Sequence, residues 1–186
     1  MICGKGQLGG NKILTSPQKK ENNIRLRIGL PVVLAVLCSV SIAYSGDTKE
    51  SLETLKAKLN ELGAPKLEGT DTVAGKTVPA IYFGEVKINN NFDVVDAVKA
   101  THGGTATVFV KDGDEFIRVS TNVLKADGTR AIGTPLARNP AYEAVTKGET
   151  FCGEVTILNL PYDTCYEPIK ADGKVIGIYY VGYKKP

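Results

Sequence analysis

One arginine of this chain stands where a core residue is expected. The segment "GGTATVFVKDGDEFIRVSTNV" (103–123) reads as two strands around a tight turn. Folding it at Lys111–Asp114 sets Val110 opposite Glu115, Phe109 opposite Phe116, Thr107 opposite Arg118 and Thr105 opposite Ser120. Side chains alternate between the two faces of a strand, and directly opposed residues share a face. One face is then Ala106, Val108, Val110, Ile117 and Val119, and the other is Thr105, Thr107, Phe109, Phe116, Arg118 and Ser120. If the second face met solvent, two phenylalanines would be stranded there. If it were ordinary core, the guanidinium would lack partners, at several kcal/mol. A part-enclosed pocket closed by a small anion satisfies both constraints, because arginine offers a planar fork to a carboxylate. The competing arrangement pairs Arg118 internally with an acid such as Asp96 or Asp127. Pattern alone leaves both open.

The other chemistry-bearing residues point away from catalysis. His102 is the single histidine and precedes Gly103–Gly104 at a helix end, where the helix dipole favours a cation. A serine or cysteine triad would have to use it, and no nucleophile-elbow pattern occurs nearby. There is no CxxCH for covalent haem, no GxGxxG and no phosphate loop. The acid pairs Asp93/Asp96 and Asp112/Asp114 fall at a helix start and a turn, which are structural positions for carboxylates. "KADGTR" lacks the spaced acids and closing glutamate of a calcium loop. An exported hydrolase built around His102 is the weakest reading, and neither a cofactor nor a metal is expected.

Ile28–Ile42 is an uncharged run of 15 residues behind Lys19, Lys20, Arg25 and Arg27, followed by "AYSGD". A basic region, a short apolar run and a small-x-small exit describe a secretory signal. The run is short of the ~20 apolar residues of a membrane span, yet an uncleaved anchor is the alternative. Cys38 follows leucine rather than a small residue, which argues against a lipoprotein site. Residues 1–45 are therefore assigned as signal peptide or membrane anchor, and 46–186 as one domain outside the cytoplasmic membrane. The leader holds six of the 23 basic residues and one of the 20 acids, so the rest carries 17 bases against 19 acids. The formal charge of +3 belongs to the leader and gives no support to nucleic-acid binding.

Beyond the leader only Cys152 and Cys165 remain, in "TFCGEVTILNLPYDTCYEP". A two-residue turn at Leu158–Asn159 sets them directly opposite, at a separation a disulfide can span, and an exported chain meets an oxidising compartment. Twelve intervening residues and no neighbouring histidine fit neither a metal pair nor a redox dithiol, so a structural cystine is the better assignment. The same hairpin puts Cys152, Glu154, Asp163 and Cys165 on one face and Phe151, Val155, Tyr162 and Tyr166 on the other.

The elements that position these groups follow from periodicity and punctuation. "DTKESLETLKAKLNELG" is an amphipathic helix capped by Asp47 or Thr48, striped by Leu52, Leu55, Leu59 and Leu62 and stopped by Gly63. "APKLEGTDTVAGKTVP" reads as polar loop and "AIYFGEVKI" as a first strand. Asn91 caps a short helix carrying Phe92, Val95 and Val98, ended by the glycine pair. After the arginine hairpin, "KADGTRAIGTPLA" is turn and extended chain. In "RNPAYEAVTKG", Asn139 caps a helix with Pro140 at its first position and Gly148 as its stop. The cysteine hairpin and a last strand, "GKVIGIYYVGY", complete the order. Hairpin-joined strands imply one α+β domain with a mainly antiparallel sheet and helices on one side.

The blocks "NNNFDVVDAVK", "GGTATVF", "RVSTNV", "ADGTRAIGTPL" and "YEPI…GKVIGIYYVG" cover most of residues 81–183. In this order they resemble the single Cache sensor domains of bacterial chemoreceptors and sensor kinases, with the helix at 48–63 as the N-terminal stalk. The resemblance implies a PAS-like fold with a core at about 78–184, an antiparallel sheet cupping a small ligand, commonly a carboxylate or amino acid. Carried onto this chain, the ligand-binding residues are Arg118 and Ser120, with Thr107, Tyr142, Tyr162 and Tyr166 as further candidates. Haem-carrying relatives need CxxCH. A chemoreceptor also has a second membrane span and a signalling region, whereas this chain stops at "VGYKKP". It is then a stand-alone module serving a membrane receptor or kinase partner, or a receptor fragment, with helix 48–63 as a possible homodimer contact. The expected role is extracytoplasmic sensing of a small anionic metabolite in signal transduction or chemotaxis. The alternative is an exported structural or interaction module that keeps the scaffold without a ligand.

Overall fold

A computed structural model of the chain describes residues 47–186. The apolar run and the signal-or-anchor assignment for 1–45 lie outside these residues. Helix α1 (Thr48–Leu62) begins where Asp47 accepts a hydrogen bond from the Lys49 backbone N–H at 2.8 Å, and it ends at Gly63. Leu52, Leu55 and Leu59 are buried while Leu62 is partly exposed, so the stripe expected from the sequence faces the core for all but its last turn. Its outward positions are polar, among them Glu50, Glu53, Asn60 and Glu61.

Three strands follow: β1 (Pro65–Val73), β2 (Lys76–Phe83) and the short β3 (Val86–Lys87), in the order β1-β2-β3. The polar loop expected for 64–79 is thus a hairpin, turned at Ala74 and Gly75, both at positive φ. Most of β1 is exposed, so its polar composition concealed a strand that needs only one covered flank. The single strand expected at 80–88 breaks at Gly84 into β2 and β3.

Helix α2 (Asp93–His102) closes on Gly103 in the left-handed conformation. Asn91 serves its start as expected, accepting from the Asp93 backbone N–H at 3.0 Å. The main sheet comprises β4 (Thr105–Asp112), β5 (Glu115–Thr121), β6 (Phe151–Ile157), β7 (Leu160–Ala171) and β8 (Lys174–Lys184). Its order is β5-β4-β8-β7-β6, and all four pairings are antiparallel. Helix α3 (Pro140–Thr146) carries Asn139 as its cap, accepting from the Tyr142 N–H at 3.1 Å.

The sheet has two covered faces. On one, α1, α2 and the small sheet bury Leu55, Leu59, Ile81, Phe83, Val95, Val108, Ile117 and Val181. On the other, α3 and the chain between β5 and α3 bury Phe109, Phe116, Leu136, Val145, Tyr166, Ile178 and Tyr180. Helices therefore lie on both sides, which corrects the one-sided arrangement expected. The apolar alternation of both faces of β4, β5, β7 and β8 requires two covers.

The arginine hairpin turns at Gly113–Asp114, with Asp112 opposite Glu115, rather than through a four-residue loop. Gly113 at φ 57 supplies the tight turn. Pairing is therefore displaced by two residues, and Arg118 faces Phe109 instead of Thr107. A two-residue displacement keeps every side chain on its face, so Arg118, Phe109 and Phe116 stay together. Beyond Arg118 a bulge changes the parity: Ser120 opposes Val108 and Thr121 opposes Thr107. Ser120 is thereby turned to the opposite face, away from Arg118.

Gly177 in β8 sits at a close approach of backbone and side chains within the sheet. A Cβ there would collide with the Phe109 carbonyl oxygen and crowd Ile81 and Ile169 on either side. Gly177→Ala should lower unfolding stability by about 1–3 kcal/mol, as overpacked core sites do. Urea denaturation at constant m-value checks it, and an unchanged midpoint would refute the close approach.

Candidate functional site

Arg118 is 5 % exposed and has no carboxylate within ion-pair distance among the described residues. Both acids that might have neutralised it are engaged elsewhere. Asp96 takes a two-pronged bond from Arg130 at 2.8 and 2.7 Å, and Asp127 accepts from the Thr129 hydroxyl and N–H. The Arg118 guanidinium lies 5.0 Å from the Phe109 ring centroid and donates one hydrogen bond, to the Thr134 hydroxyl at 2.7 Å. Its Nε is buried with no partner. Burial pushes the guanidinium below its ordinary pKa, against the field of the nearby Tyr166 and Tyr180 hydroxyls. An arginine still keeps its charge at neutral pH.

Thr134 is held for this role. Its hydroxyl donates to the Ala131 carbonyl at 2.7 Å, which leaves its lone pairs to Arg118. The surrounding chain runs along the outer edge of β5: Arg118 N–H donates to Thr134 O, Gly133 N–H to Arg118 O and Leu136 N–H to Phe116 O, at 2.8–3.0 Å. The same loop is clamped to α2 by Arg130, which also donates to Thr121 O at 2.8 Å and stacks on Phe92 at 4.4 Å. Sequence reading saw only turn and extended chain here. The nearest signal was the "TRAIGTP" run that brings a hydroxyl next to a proline in a resemblance block.

Tyr166 is fully buried on the same face, and its hydroxyl is likewise without a partner. Its ring packs 4.8 Å from that of Tyr180, whose hydroxyl meets Thr105 Oγ1 at 3.1 Å. Burial raises the Tyr166 and Tyr180 phenols well above the usual range, so both stay protonated. Arg118 and Tyr166 line one cavity of about 120 Å³. Thr134–Ala137 and Asn139 close it on one side, and Thr156, Ile157 and Leu158 of the β6–β7 hairpin close it on the other. Leu158 holds φ 48 in the two-residue turn, a strained conformation for a leucine.

The remaining candidates divide. Tyr162 is buried opposite Val155 on the cavity face, and Thr107 is buried with its hydroxyl 2.6 Å from that of Thr121, but neither lines the cavity. Tyr142 lies on α3, where its hydroxyl donates to Asp114 O at 2.6 Å and accepts from Arg138 at 3.0 Å, securing the β4–β5 turn. Ser120, on the opposite face, donates to Asn91 O at 2.5 Å and anchors the start of α2. His102 is buried, with Nε2 2.9 Å from the Thr54 hydroxyl, between α2 and α1.

Cys152 and Cys165 are directly opposed and bonded as a disulfide, as the hairpin arithmetic requires. No helix among the described residues is long and apolar enough to cross a membrane, and no group of metal-ligating side chains occurs among them.

No curated protein matches the chain. Residues 33–186, however, match the family described as the Cache 3/Cache 2 fusion domain. The α+β architecture, with its antiparallel sheets and few helices, is that of a PAS-like Cache domain. Cache domains are extracytoplasmic sensory modules that bind small molecules and are not themselves enzymes. By the extent of this match, the chain belongs to the Cache 3/Cache 2 fusion family.

Proposed function

We propose that this domain senses a small carboxylate outside the cytoplasmic membrane, held by Arg118 in the cavity it shares with Tyr166. One observation carries the reading. The buried side-chain polar atoms that lack any partner among the described residues are Arg118 Nε and the Tyr166 hydroxyl, and both residues line the same cavity. Leaving such groups unsatisfied costs on the order of 1–3 kcal/mol each. A carboxylate in the cavity would offer acceptors to both residues, one oxygen toward the guanidinium and the other toward the phenol. Thr134, Phe109 and the apolar walls would orient the guanidinium and the rest of the ligand.

The lining also limits the guest. Arg118 is its single cation and no acid lies within it, so a second carboxylate or an ammonium group would go unmatched. At about 120 Å³ the cavity is smaller than the roughly 300–1,000 Å³ of sites for drug-sized ligands, which suits a small acid. An internal acid on Arg118 and no cavity beside it would favour the structural-module alternative; a cavity adjoins Arg118, and among the described residues no acid pairs with it.

A thermal-shift panel tests the reading. Acetate, propionate and pyruvate should stabilise the protein, by about 2.7 kcal/mol at a hundredfold excess over Kd, whereas succinate, citrate and glycine should not. A panel in which none of the three monocarboxylates raises the melting temperature would overturn it. Arg118→Met should abolish the shift and at the same time raise the stability of the ligand-free protein by ~1 kcal/mol or more, since an uncompensated buried charge is replaced by an apolar chain. A destabilised Arg118→Met protein would mean that the guanidinium serves the fold. Tyr166→Phe should leave ligand-free stability unchanged or higher and weaken binding about tenfold, read by isothermal titration with the best acid of the panel.

A further inference from the structure

The hairpin that walls the cavity also carries the cystine, on its other face. Strand β6 is an edge of the main sheet, paired on one flank by β7 alone. Thr156 and Ile157 of β6 border the Arg118 cavity. Ala137, Asn139 and Thr156 also border an adjoining surface groove with Pro140, Glu154 and Val155, so β6 forms one side of the cavity's mouth. Apart from its ladder, β6 is held by the Glu154–Lys185 ion pair, by the Thr164 hydroxyl donating to Gly153 O at 2.7 Å, by burial of Val155 and Ile157 and contact with α3, and by the Cys152–Cys165 bond.

The two sulfurs stand in unlike surroundings. Cys152 is exposed, whereas Cys165 is fully buried. Cys165 Sγ lies 3.6 Å from the hydroxyl of Thr48, the first residue of the fifteen-residue α1. In thiol–disulfide exchange the attacked sulfur must be reachable, and the departing sulfur leaves faster the better its thiolate is stabilised. A helix N-terminus lowers a thiol's pKa, and a hydroxyl donor adds to the effect. Reachability selects Cys152 as the attacked sulfur. Attack at Cys152 makes Cys165 the leaving sulfur, and the Thr48 hydroxyl beside it offsets part of the cost of burying its thiolate among apolar side chains.

We propose that this cystine is a thiol–disulfide exchange site attacked at Cys152, whose opening releases β6 at the mouth of the cavity. An external thiolate bonds to Cys152 Sγ as the S–S bond breaks, and the electron pair goes to Cys165 Sγ beside Thr48. With a dithiol reductant, its second thiolate attacks the reductant's own sulfur in the mixed disulfide and expels Cys152 as a thiolate. Both cysteines take protons from water. The dithiol is oxidised to a disulfide, supplying the two electrons that reduce the cystine. The strand then keeps its backbone ladder but loses its covalent tie to β7, while Cys165 Sγ stays beside Thr48 of α1. This site is independent of the carboxylate reading, because exchange is measured with no ligand present.

The test incubates the oxidised, folded protein with millimolar glutathione, then quenches in acid, alkylates and maps the adducts by mass spectrometry. The expected product is glutathione on Cys152 with an alkylated Cys165, and Thr48→Val should slow its formation several-fold. Hydrogen exchange of the product should rise over Phe151–Ile157 and stay unchanged over β4 and β8. A cystine that reacts only after unfolding in urea, an adduct on Cys165, or an unchanged rate in Thr48→Val would overturn the assignment. Loss of protection across the whole sheet, or none in β6, would overturn the release of the strand.

Discussion

A buried guanidinium with one hydrogen-bonded neighbour is the constraint around which this domain is arranged. Arg118 is enclosed by Phe109, Tyr166 and the Thr134 loop, and no acid among the described residues neutralises it. Desolvating a charge without a counterion is unfavourable, so the segments around Arg118 must be firmly held. They are. The loop is bonded along β5 by main-chain hydrogen bonds, and its far end is clamped to α2 by the Arg130–Asp96 fork. That fork also removes Asp96 from competition for Arg118.

The sheet divides the work between its faces. The face under α1, α2 and the small sheet is a closed apolar core, continuous from Leu52 to Val181. The other face is roofed by a short helix and a loop, and there the polar atoms remain unspent. Strands β5 and β6 are the two edges of the main sheet, and each is managed differently. The Thr134 segment covers β5, whereas β6 is tied by a cystine and an ion pair. Exposed strand edges invite unwanted pairing, and both devices blunt that tendency while forming opposite sides of the cavity.

Much of this was legible in the residues. The period of two placed Arg118 with Phe109 and Phe116, and it placed Tyr166 and Tyr162 opposite the cysteine face. That placement survived a two-residue error in hairpin register because the error preserved parity. The caps Asp47 and Asn139, the Asn91 start and the Gly103 stop lie where short-range hydrogen bonding and left-handed backbone demand them. What escaped was of another kind. The bulge that turns Ser120 away has no mark of its own, since Val119 is as apolar as a paired residue would be. The β1–β2 hairpin is polar because most of it stays in water.

By itself the sequence determined which side chains share a face, where helices begin and end, and that the two cysteines must meet. These follow from alternation, capping and turn length, which act within a few residues. Only the tertiary structure decided that Asp96 belongs to Arg130, that Thr134 becomes Arg118's single partner, and that Tyr166 completes the cavity with an unbonded hydroxyl. Such pairings join segments from 16 to 48 residues apart in the chain, as Thr134 and Tyr166 are from Arg118. Electrostatic choice among distant partners depends on which segments the packed sheet brings within a few ångströms, and no local pattern encodes that.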